Sequence, residues 1–166
     1  KAVRKQKAVK VPRKRGRPAK SEHRPPKEEK RLDKQLLQEA EEAVAELPIV
    51  CDRGVKKNAK GYKESWNGYK LHADVNDAML PLSVVITSAS VHDSQVAIPL
   101  MKKTSKKVTY CYDLMDAAYD ARQIWEQSKA LGHVAIIDRN PRKGKALPMS
   151  PHEAKRYNER GSCERF

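Results

Sequence analysis

Between Ile49 and Phe166, short β-branched runs alternate with stretches of helical periodicity, and this alternation constrains the fold more than any other feature of the chain. Tyr69, Leu71, Ala73 and Val75 alternate with Lys70, His72 and Asp74, which predicts a half-buried strand closed by the turn Asn76-Asp77-Ala78. Leu82 to Thr87, with Val84, Val85 and Ile86 in succession, predicts a buried partner strand. Val108 to Tyr112 and Val134 to Ile137 read as two more strands by composition. Helices are expected over 94–103 with Asp93 as its cap, and over 121–131 with Asp120 as its cap and Gly132 as its stop. A last helix should begin at Ser150, because Ser150 and Glu153 stand at capping-box spacing and Pro151 falls at the first helical position. With Ile49-Val50-Cys51-Asp52 as the opening strand, the order is three strands, helix, strand, helix, strand, helix. That order predicts an α/β fold, a mixed sheet with helices on both faces.

The N-terminal part cannot join such a core. Residues 1–27 hold 12 Lys and Arg against the single acid Glu22, and they lack apolar periodicity. They predict a disordered basic arm, since too little surface can be buried to offset the ordering entropy. Of the net charge of +14, +11 sits on this arm, leaving 23 basic and 20 acidic residues for the rest, so nucleic acid is the expected partner. Within the arm, Arg15-Gly16-Arg17-Pro18 resembles an AT-hook. Gly16 allows close backbone approach, Pro18 keeps the chain extended, and the two arginines suit a narrow A·T minor groove. A generic basic linker that touches only phosphates explains the same residues equally well. Residues 28–47 read as one amphipathic linker helix, with Leu32, Leu36, Ala40, Ala43, Val44 and Leu47 on its stripe, packed on the domain that follows or against a second copy. The expected division is therefore an arm over 1–27, a linker helix over 28–47 and a catalytic domain over 48–166.

Cys51, Cys111 and Cys163 stand far apart without paired spacing, which argues against a zinc site or a disulfide framework and fits a reducing compartment. No apolar run approaches membrane-spanning length, so no membrane partner is expected. The chain starts without Met and stops inside its last predicted helix, which predicts a fragment of a longer protein.

The acids carry the chemistry. Asp52 ends one predicted strand, and Asp113 and Asp116 compete for a position at the end of another. Tyr157, Arg160 and Glu164 share one row of the last helix, although Gly161 weakens that helix by about 1 kcal/mol relative to alanine. Taken alone, such a row is compatible with a solvated helix face. Asp138 to Lys145, including Arg142 and Lys143, forms a basic loop suited to a phosphate backbone, and Lys102, Lys103, Lys106 and Lys107 form a second basic run. His72 and His92 are expected to be structural.

The spacing Tyr157-x2-Arg160-x3-Glu164 resembles that of DDE transposases of bacterial insertion sequences with the Tyr-Arg-Glu-Lys signature. Trp66 to His72, Thr87 to Asp93 and Asp116-Ala117-Ala118-Tyr119-Asp120 are similar to that family's other blocks, in the same order. The resemblance implies a ribonuclease H-like catalytic domain truncated at its C-terminus, since the signature Lys is absent before Phe166. It implies Asp52, Asp116 and Glu164 as catalytic residues and ligands of two divalent cations, Mg²⁺ or Mn²⁺, about 3.5–4 Å apart. Asp116 matches the family's Asp-x-x-Tyr-Asp block where Asp113 does not, and Asp113 is left in a supporting place. Tyr157 and Arg160 would hold the flanking phosphate. The implied activity is cleavage and strand transfer at insertion-sequence ends, on double-stranded DNA in the bacterial cytoplasm at the nucleoid, with a homodimer on DNA compatible with it. The alternatives are a catalytically inactive fragment that only binds DNA and an architectural minor-groove protein.

Overall fold

The computed structural model describes residues 29–58, 60–109, 111–141, 144 and 148–165, the last four as backbone only. Residues 1–28, with the hook-like Arg15, Gly16, Arg17 and Pro18, lie outside the described residues, as do Arg142 and Lys143. Five strands and five α-helices follow in the order α1 (Arg31–Leu37), α2 (Ala40–Ala45), β1 (Asp52–Lys57), β2 (Lys63–Val75), β3 (Pro81–Ser88), α3 (Ser94–Ser105), β4 (Tyr112–Met115), α4 (Arg122–Ala130), β5 (Val134–Ile137) and α5 (Pro151–Tyr157). Short 3₁₀ segments cover Ala117–Tyr119 and Asn158–Arg165. The strands β1, β2 and β3 form an antiparallel sheet in that order, and β4 and β5 form a parallel pair. This mixed α/β architecture is the expected class and is compatible with a ribonuclease H-like fold, with its strands hydrogen-bonded as two sheets among the described residues. No helix among them is long and apolar enough to cross a membrane.

Helix α3 organises the packing. One side joins Leu47, Val85, Val91, Val96 and Leu100, and the other joins Ala97, Ile98, Met101, Ile124 and Ile137. Pro99 lies inside α3 and cannot donate to the carbonyl four residues earlier, that of Gln95. The buried Gln35 repairs the gap, its Nε2 donating to the Gln95 oxygen at 2.8 Å. Lys102, also from α3, donates Nζ to the carbonyls of Gln35, Leu36 and Gln38, the oxygens that the end of α1 leaves without helical partners.

The strand predicted over Val108 to Tyr112 runs instead over Tyr112–Met115, and four other local expectations change. The single helix predicted over 28–47 is two, because Gln38 is extended and Glu39 opens α2 with a reciprocal capping box to Glu42. The first strand begins at Asp52 where it was expected to end. Arg53 to Lys57 pairs with Lys63 to Asn67, while Ile49 and Val50 are exposed. The true turn is at Asn58, whose Oδ1 accepts from the amides of Lys60 and Tyr62.

The faces of β2 and β3 are the third change. His72, Ser83, Val85 and Thr87 are buried, whereas Tyr69, Leu71, Val84 and Ile86 are exposed. The buried face is polar yet satisfied: His72 shares a hydrogen bond with Thr87 at 2.9 Å, and Ser83 one with Thr104 at 2.7 Å. Fourth, Asp93 stands at the N-cap of α3 without a side-chain capping bond, and the N-cap of α4 is Ala121 rather than Asp120. Asp93 pairs with Lys70 at 3.0 Å, and Asp120 accepts from the Trp125 indole and the Asn140 amide.

Candidate functional site

Asp116 follows the last residue of β4, at the carboxyl end of the parallel pair, where α/β folds place their chemistry. Its Oδ1 accepts from the Ala118 amide at 2.9 Å, so the 3₁₀ turn Ala117–Tyr119 fixes the carboxylate's orientation. Asp138 stands beside it: Met115 and Ile137 are paired, and the Asp138 amide donates to the Met115 carbonyl at 3.1 Å. Strand register is the only signal that brings these two acids together, and the sequence reading left Asp138 in a basic loop.

Asp52 opens β1 in the other sheet and is exposed. The Ser90 hydroxyl and its own neighbour's amide, from Arg53 at 2.7 Å, hold its carboxyl below the ordinary range. Carboxylate oxygens such as those of Asp52 and Asp116 are the donors that a hard divalent cation prefers.

A cavity of about 620 Å³ opens between the C-terminal half of β2, α3 and β4, lined among others by Asp74, Asp113, Asp116, Tyr119, Arg156 and Arg160. The structure thus brings Asp116 and Arg160 to one cavity, which Asp52 does not line. Arg156 stacks over the Tyr112 ring at 4.7 Å and pairs with Glu159 at 3.2 Å, tying α5 to β4. Arg160 lies over the Tyr157 ring at 5.5 Å.

The capping box of α5 is present as predicted, with Ser150 and Glu153 bonded reciprocally and Pro151 at the first turn. The helix turns 3₁₀ from Asn158, however. With three residues per turn, positions three apart eclipse, so Tyr157 and Arg160 keep one row while a residue four further on rotates off it. The Glu164 side chain lies outside the described residues.

Behind the cavity is a group the sequence reading missed. Asp113, buried, accepts from Ser128 Oγ at 2.6 Å and lies 3.3 Å from His133 Nδ1. Cys111 Sγ is 3.2 Å from the same nitrogen, and burial with the adjoining Asp113 charge pushes its thiol up to about 12. Asp74 lines the same cavity, accepts from Thr104 Oγ1 at 2.5 Å, and has its carboxyl raised, first by burial. Only folding unites positions 74, 111, 113 and 133, so spacing gave no signal.

Comparison with known proteins agrees with the expected fold class. No curated protein and no solved structure matches the chain. A family model described as the transposase DDE domain matches residues 48–166, nearly three quarters of the sequence. The chain belongs to the family of transposase DDE domains.

Proposed function

We propose that this chain is a DNA transposase that cleaves strands at insertion-sequence ends and joins them to a target, with Asp52, Asp116 and Glu164 as its catalytic carboxylates. The family match across 48–166 carries this reading, and Asp116, held at the carboxyl end of β4 beside a cavity with two arginines, supports it. The three carboxylates would hold two Mg²⁺ or Mn²⁺ ions, which when bound supply nucleophile activation and charge stabilisation at phosphorus.

The residues of the chain divide the remaining work. Asp116 is oriented by the Ala118 amide, and the Ser90 hydroxyl holds the Asp52 carboxyl below its ordinary range. Arg160 and Tyr157 hold the phosphate that flanks the scissile bond, Arg142 and Lys143 contact the backbone further along, and Arg15, Gly16, Arg17 and Pro18 enter an A·T minor groove. In cleavage the oxygen of water attacks phosphorus and the departing strand leaves with a 3′-hydroxyl. In joining that hydroxyl attacks a target phosphodiester, so one bond forms for each that breaks. Two copies on DNA would present two ends together, in the bacterial cytoplasm at the nucleoid.

A second reading, a catalytically inactive fragment that only binds DNA, is favoured by the change from α-helix to 3₁₀ backbone after Tyr157, which departs from the regular helix that the signature spacing assumes. A Mg²⁺-dependent nicking assay on terminal-repeat DNA separates the two. The transposase reading expects nicking that Asp116→Asn lowers about 10²–10³-fold with DNA binding kept. Binding without any nicking by the unaltered chain supports the second reading, and nicking undiminished in Asp116→Asn rules out the first.

A further inference from the structure

We infer that Cys111, Asp113 and His133 form a binding site for one transition-metal ion of the Zn²⁺ class, separate from the carboxylates that serve the phosphodiester. The side-chain geometry carries this. Cys111 Sγ, Asp113 Oδ1 and His133 Nδ1 form a triangle with sides of 3.5, 3.2 and 3.3 Å. Around a tetrahedral zinc, with bonds of about 2.3 Å to sulfur and 2.0–2.2 Å to nitrogen and oxygen, ligand atoms stand roughly 3.3–3.6 Å apart. The three atoms are therefore spaced as one face of such a tetrahedron. The group is the one set of three candidate ligands among the described residues whose donor atoms lie within 4.8 Å of one another.

The surroundings fit as well. Ser128 Oγ donates to Asp113 Oδ2 at 2.6 Å, which orients the carboxylate as outer partners of metal ligands do. The side chains of His133 and Asp113 are 0% and 7% exposed, so the nitrogen and oxygen donors are held by packing. Cys111 and Asp113 line the 620 Å³ cavity, which gives an ion a route in. Asp74 lines it too, so a fourth ligand position facing the cavity would fall to Asp74 or to water. Sulfur and imidazole select a borderline ion over Mg²⁺, which demands oxygen donors in octahedral geometry. Loading converts the Cys111 thiol to thiolate, and its proton leaves to solvent as the metal–sulfur bond forms.

Such an ion would clamp β4 to the start of β5 and, through Asp74, face them toward β2. The full chain, loaded with Zn²⁺ and desalted, is expected to retain about one ion, and Cys111→Ser to weaken its binding about 10–100-fold. Zinc X-ray absorption on the unaltered loaded chain needs no variant and is expected to show one sulfur at about 2.3 Å with nitrogen and oxygen at about 2.0–2.2 Å. Retention unchanged in Cys111→Ser, a first shell without sulfur, or no retained zinc would each overturn the site. None of these readouts depends on transposition, so the result stands apart from the nicking assay.

Discussion

Gly54 faces Trp66 across the β1–β2 ladder, and a methyl group there would stand 2.6 Å from the indole and 2.9 Å from the Cβ of Ala89. Gly54→Ala should therefore destabilise the chain by about 1–3 kcal/mol, read as a lower urea midpoint, because the indole and the Ala89 methyl must both shift to admit the added carbon. His72 gives the pH dependence. Burial holds its imidazole below the ordinary 6.5, with Asp93 opposing and Lys70 reinforcing the shift. The unfolded chain then binds the proton more readily, so the contribution of His72 is intact above about pH 6.5 and is lost on acidification below it. The urea midpoint should fall between about pH 7 and pH 5.5, and His72→Gln should flatten that slope. The position of Asp116 just past a strand was legible in the sequence. Asp74 and His133 were not, since their meaning depends on neighbours distant in sequence.

Among the elements, α1 depends on a lysine from another helix. Lys102 donates to three of its terminal carbonyls, and Lys102→Met should strip all three of their partner. A cost of about 1–3 kcal/mol is expected, with faster hydrogen exchange at the Lys34 and Gln38 amides of α1 and its cap. Wild-type exchange there in the variant would contradict that role. The start of α5 could be read from Ser150, Pro151 and Glu153 because capping is local chemistry. The faces of β2 could not. Alternation fixes which residues share a side but not which side is covered, and here Thr87, Ser83 and Thr104 satisfy a polar interior while Leu71 and Ile86 remain outside. The break between α1 and α2 was hidden for a related reason, since an apolar stripe continues across a kink that a glutamate capping box creates.

For the molecule as a whole, element order was legible because strand and helix periods differ, and the parallel pair brings Asp116 to the carboxyl end of β4. The approach of Asp116 and Arg160 to one cavity, and the gathering of Cys111, Asp113 and His133 behind it, follow from tertiary packing alone. Three acids should act on one phosphodiester, and strand transfer reports on all of them together. The decisive measurement is joining of labelled terminal-repeat DNA to a target plasmid in Mg²⁺ by the unaltered chain and by Asp52→Asn, Asp116→Asn and Glu164→Gln. Joined product should form with the unaltered chain and fall about 10²–10³-fold in each variant, with DNA binding retained. Equal joining in any one of the three would contradict the assignment of that carboxylate, and equal joining in all three would contradict the mechanism.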